Sequence, residues 1–150
     1  MPVVEAEEGQ LVVAGAVYLA PGGANLEAVA DTNDPLRRTY WRVVAPKPGP
    51  GPIITPSADE LFRSAAAVFG PRLCAVVLTG MGSDGTRGAA AVRAGGGWVV
   101  SEDPATAVMP GMPQSVVEAG LVDEVAPIGQ LPRLLSRWAE GHAAHPPQGA

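Results

Sequence analysis

Apolar residues in this chain fall into short runs punctuated by glycine and proline, and their period changes along the sequence. Residues 73–78, LCAVVL, form a continuous apolar run of strand length, the pattern of a buried strand. Residues 79–85, TGMGSDG, follow as a glycine-rich turn, and residues 86–94 read as a small-residue helix closed by Gly95, Gly96 and Gly97. A second apolar run over 98–100 ends in acid at Glu102 and Asp103. Strand, tight turn, helix and strand make a βαβ unit. Its turn lies at the carboxyl end of a strand, where α/β sheets place their chemistry.

The rest of the pattern is arranged around that unit. Residues 5–9 are a polar lead-in, and residues 11–20 hold two apolar pieces split by Gly15, the second of which (16–20) reads as a buried strand. Residues 25–30 and 38–44 alternate, with a turn at 31–35, and predict an antiparallel hairpin. Residues 45–52, APKPGPGP, carry too many prolines for regular structure. Ser57 followed by Glu60 predicts a capping box, and Leu61, Ala65 and Phe69 make the apolar stripe of a helix stopped by Gly70 and Pro71. Further on, Pro113 suits the first position of a short helix to Ala119. Residues 121–125 read as a last strand, 131–138 as an amphipathic helix, and 140–150 as a disordered tail. The expected fold class is α/β: three layers, a mostly parallel sheet with helices on both faces, plus the antiparallel hairpin. The opening lacks the βα units with which such a sheet begins, so residues 1–139 are expected to be the carboxyl part of a larger domain. One sheet edge or face is then expected to be uncovered, with apolar surface exposed.

Composition narrows the function. The 150 residues suit one domain with a real core. A net charge of −5, with a single lysine, argues against nucleic acid, whose phosphates need a basic patch. No apolar stretch is long enough for membrane insertion, and the acidic N-terminus does not resemble a signal peptide, so a cytoplasmic location is expected. The lone cysteine, Cys74, sits in the apolar run and is expected to be an inert thiol. No cysteine or histidine cluster has metal-ligand spacing, and no cofactor is implied.

The central turn admits three readings. Asp84 is a cap for the helix that follows it. Alternatively, Gly80, Gly82 and Gly85 form the G-x-G-x-x-G of a dinucleotide-binding βαβ domain, with Glu102 or Asp103 as the ribose acid. Against this, Asp84 puts a carboxylate where a pyrophosphate would sit. In the third reading, Asp84 is a working acid that holds an imidazole in the right tautomer, with the Met81 and Gly82 amides as oxyanion donors.

LTGMGSDGTRGA resembles the signature L-T-G-M-G-x-D-G-x-x-G of the CheB-type chemotaxis methylesterases. Three further stretches resemble that family in the same order: GAVYLAPGGANLEAV, PSADELFRSAAAVFG and VMPGMPQSVVEAG. The resemblance implies a hydrolase of the chemotaxis phosphorelay. Such a protein-glutamate methylesterase, also a glutamine deamidase, acts on methyl-accepting chemotaxis receptors through a Ser-His-Asp triad. Control would come from a response-regulator receiver domain or histidine kinase supplied elsewhere. It implies that Asp84 is the triad acid, with Met81 and Gly82 in the active-site loop. Two departures stand out. The family's G-A-S-T-G-G turn and its triad histidine segment have no counterpart here, and Asn25 replaces the histidine of the A-P-x-x-x-H-L stretch. The only histidines, His142 and His145, lie in the tail. The chain alone is therefore expected to be inactive or nearly so; a noncatalytic remnant binding receptors or partner proteins is the competing reading.

Overall fold

A computed structural model describes residues 1–46 and 54–143. Its elements run β1 (Val3–Glu5), β2 (Val17–Leu19), β3 (Asn25–Ala30), β4 (Thr39–Val44), α1 (Ala58–Phe69), β5 (Cys74–Val77), α2 (Thr86–Ala94), β6 (Trp98–Glu102), α3 (Gly111–Glu118), β7 (Glu124–Ala126) and α4 (Leu131–Ala143). Strands β5, β6 and β7 form a parallel sheet in sequence order, and β3 pairs antiparallel with β4 from Asn25 against Val44 to Ala30 against Thr39. The α/β class, the parallel strands and the hairpin are all present.

Alternation along β5 and β6 builds the three layers. Ala75, Val77 and Val99 point to one face, where they pack with Ala66 of α1, Ala89 and Val92 of α2 and Val116 of α3. Val76 and Val100 point to the other face and meet Leu131 and Leu134 of α4. The apolar stripe seats α1 between α2 and β3, and Ser64 secures it by accepting the buried Ala28 amide at 3.1 Å. Gly70, at φ 52°, ends α1 by donating back to the Ala66 carbonyl. α1 and α2 approach most closely at Gly88, where a Cβ would stand 2.7 Å from Phe62 Cβ and 2.9 Å from the Asp59 carbonyl oxygen.

Several boundaries differ from the sequence reading. β1 was not expected and runs into the polar lead-in only at Glu5; it pairs parallel with β2, Val3 beside Val17, and no other described strand joins this two-stranded sheet. Nor is β2 buried: Leu19 is 53% exposed, and Val3, which stands beside Val17, is 61% exposed. The apolar piece before Gly15 runs beside β4, with Trp41 N donating to the Gln10 carbonyl and Val12 N to Thr39. α3 begins at Gly111, so Pro113 occupies its third position, still within the first turn, where a missing N–H leaves no helical bond unmade. α4 continues through 140–143; residues 144–150, and 47–53 of the proline-rich loop, lie outside the described residues.

Cys74 behaves as its neighbours dictate. Desolvation pushes its thiol up to about 11. At pH 8 only about 0.1% is thiolate. Labelling by an aromatic disulfide reagent is expected to run at least about a hundredfold slower than with free cysteine. A reaction at the free-thiol rate, in folded protein, would contradict this burial.

Candidate active site

The loop after β5 is held from two sides. Glu102, only 3% exposed at the end of β6, accepts the Thr79 amide at 2.7 Å. The loop then zips to the segment before α3: Gly80 N donates to the Met109 carbonyl at 2.9 Å, and Met112 N to the Gly80 carbonyl at 2.8 Å. Thr79 Oγ1 accepts the Met109 amide at 2.7 Å. Gly111 has to lack a side chain, since a Cβ there would sit 2.9 Å from Gly82 N. Gly82 and Gly85, at φ 79° and 92°, turn the chain so that Asp84 faces back across the loop.

Asp84 does not cap the helix that follows it. Its carboxylate closes the N-terminus of α1 instead. Oδ2 accepts the Ala58 amide at 2.7 Å, and Oδ1 accepts the Asp59 amide at 3.0 Å, the Ser57 hydroxyl at 2.9 Å and its own neighbour Gly85 N at 3.0 Å. The expected capping box is therefore absent. Ser57 makes no side-chain cap to its own helix, and Glu60 pairs with Arg63. The cap of α2 is supplied in return by α1: buried Asp59 accepts Gly88 N at 2.7 Å and Arg87 Nε at 3.0 Å. Asn25, at the start of β3, fixes the entry by accepting the Ser57 amide at 2.9 Å.

Two crevices meet at Asp84. One, of about 410 Å³, is polar and is lined by Ser57, Asp59, Ser83, Thr86, Arg87 and Ser115. The other, of about 370 Å³, is lined mainly by apolar groups, Leu26, Ile54, Leu61, Met81 and Met112 among them. The Met81 side chain is exposed at this mouth, and among the described residues neither the Met81 nor the Gly82 amide donates a hydrogen bond. A half-buried carboxylate and two uncommitted N–H groups in one loop are the parts an acyl-transfer site needs around its base and its oxyanion.

The dinucleotide reading fares badly on the same geometry. Glu102 is 3% exposed and turned onto the Thr79 amide, which keeps it from a ribose, and Asp103 folds onto Ala105 N in its own turn. Trp98, at the amino end of β6, stacks on Trp138 with ring centres 6.1 Å apart. This sets Trp138 of α4 at the end of the sheet where β6 begins, whereas the Asp84 loop follows the end of β5. His145 falls outside the described residues. Among those residues no group of acidic, histidine or cysteine side chains could hold a metal ion, and no helix is long and apolar enough to cross a membrane.

A family model described as CheB methylesterase matches residues 1–135. The chain is a member of the CheB methylesterase family. Among its relatives is a protein-glutamate methylesterase/protein-glutamine glutaminase of Anaeromyxobacter dehalogenans, 48% identical over 91% of this chain and 39% of the relative. A protein of the same name from Nocardioides is 44% identical over 99% of the chain and 39% of the relative. The crystal structure of the Thermotoga maritima CheB methylesterase catalytic domain superposes with a TM-score of 0.79 at 37% identity, covering 87% of this chain and 66% of that one. This CheB-family chain thus spans about two fifths of the length of the curated relatives it matches.

Sequence reasoning expected the site at Met81, Gly82 and Asp84; it read Ser57 as a cap of its own helix and Asn25 only as a replaced histidine, and it did not find that these two join α1 to Asp84 and to β3, or that Asp59 returns the cap. The serine-and-acid spacing of PSADE was visible; its partner across the fold was not.

Proposed function

We propose that this chain carries the acid of a Ser-His-Asp site that hydrolyses glutamate methyl esters, and deamidates glutamines, on methyl-accepting chemotaxis receptors. The observation that carries this reading is the Asp84 carboxylate, fixed at the carboxyl end of β5 and bordering both crevices. Asp84 orients an imidazole and stabilises it once charged. The Met81 and Gly82 amides receive the oxyanion that forms when a serine attacks the ester carbonyl. Methanol leaves, and water frees the glutamate from the acyl-enzyme. The serine and histidine belong to segments without a counterpart in these 150 residues. The chemoreceptors are the substrates, and a receiver domain or histidine kinase supplied elsewhere sets the activity, in the cytoplasm.

The test is methanol release from methylated receptor membranes. The 150-residue chain alone is expected to give the blank rate. Fusing it to the upstream part of the Anaeromyxobacter dehalogenans relative, through the serine and histidine segments, is expected to restore turnover. A folded fusion that releases no methanol would sink the proposal, and so would turnover by the isolated chain at the rate of an intact relative.

A further inference from the structure

We propose that Ser57 is a positioning residue for Asp84, and that it leaves Asp84 Oδ2 as the atom that accepts the imidazole N–H. The second half rests on the esterase reading; the first does not.

A carboxylate offers about four lone-pair sites, two on each oxygen. Oδ1 takes three donors: Ser57 Oγ, Asp59 N and Gly85 N. Oδ2 takes Ala58 N alone. Oδ1 is therefore saturated, and the remaining acceptor site is on Oδ2. The three amides belong to backbone that α1 and the loop hold in place. Ser57 supplies the only side-chain donor the carboxylate has among the described residues. Its hydroxyl makes no other hydrogen bond among the described residues: it caps no helix, while its backbone is tied to β3 through Asn25 and its carbonyl accepts Leu61 N. Ser57 borders both crevices beside Asp84, so the hydroxyl acts at the lip where an imidazole would enter. The charged groups around it are Asp59 and Glu60 on α1 and Arg87 on α2. Of these, Asp59 and Arg87 pair with each other and Glu60 with Arg63, which leaves the hydroxyl as the one side-chain group that acts with the three backbone amides on the carboxylate.

The test compares wild type, Ser57→Ala and Ser57→Thr. In the 150-residue chain, the NMR couplings of the Asp84 β-protons are expected to show one rotamer in wild type, averaging in Ser57→Ala, and one rotamer again in Ser57→Thr. Circular dichroism checks that each variant keeps its fold. Unchanged couplings in Ser57→Ala would overturn the positioning role. In the fusion described above, Ser57→Ala is expected to lower kcat about tenfold at constant KM, the weight of one charge-assisted hydrogen bond, with recovery in Ser57→Thr. An active fusion indifferent to Ser57→Ala would also overturn it. An inactive wild-type fusion with averaged couplings in Ser57→Ala would remove the esterase reading and support Ser57 as the group that fixes Asp84.

Discussion

Asp84→Asn is expected to lower kcat of an esterase-competent fusion by about 10³–10⁴-fold. An asparagine can satisfy the crowded side of the site with its carbonyl oxygen, facing Ser57 Oγ, Asp59 N and Gly85 N. Its NH₂ then stands where Oδ2 stood, opposing the Ala58 amide and presenting a donor to an imidazole that needs an acceptor. The wrong tautomer follows. Steady-state methanol release checks this, and a loss smaller than tenfold would refute the role given to Asp84. The same residue has a measurable structural weight. Asp84→Ala strips the acceptor from two α1 amides and the Ser57 hydroxyl, and water recovers only part of that in a half-buried site. The expected cost is about 3 kcal/mol. For a domain of this size that is a fall of about 6–12 °C in Tm. A melting curve matching wild type would show that α1 does not depend on this carboxylate.

Gly88→Ala is expected to destabilise the chain by about 2 kcal/mol. The sign is the informative part, because alanine in a helix normally gains up to about 1 kcal/mol over glycine. Here the new methyl would press on Phe62 Cβ and on the backbone of Asp59, at 2.7 and 2.9 Å. Backbone cannot rotate out of the way, so α1 and α2 have to separate. Separation also stretches the Asp59 contacts to Gly88 N and Arg87. Gly129→Ala, where a Cβ would meet nothing, serves as the control and is expected to be neutral within about 0.5 kcal/mol. Chemical denaturation of both variants decides it; equal midpoints would mean the helix contact is softer than the geometry implies.

What the sequence disclosed and what it hid follow from the range of the forces involved. The β5–α2–β6 unit and the β3–β4 hairpin were legible because alternation, glycine turns and apolar runs are local signals. The turn that carries Met81, Gly82 and Asp84 was legible because its glycines stand close together in the sequence. The capping box at Ser57 and Glu60 misled for the same reason: the local pattern fits, but an aspartate 26 residues on from Ala58 and 25 from Asp59 took the helix end. β1 escaped notice because three residues beside a polar stretch carry no period; its partner, β2, lies 14 positions away and supplies the pairing.

The exchanged aspartates bind the fates of two helices. Asp84 precedes α2 yet closes α1, while Asp59 belongs to α1 yet closes α2. Neither helix can fray at its front without releasing the acid that holds the other. Their first turns therefore open as one cooperative unit, and the Asp84 loop inherits the rigidity of both.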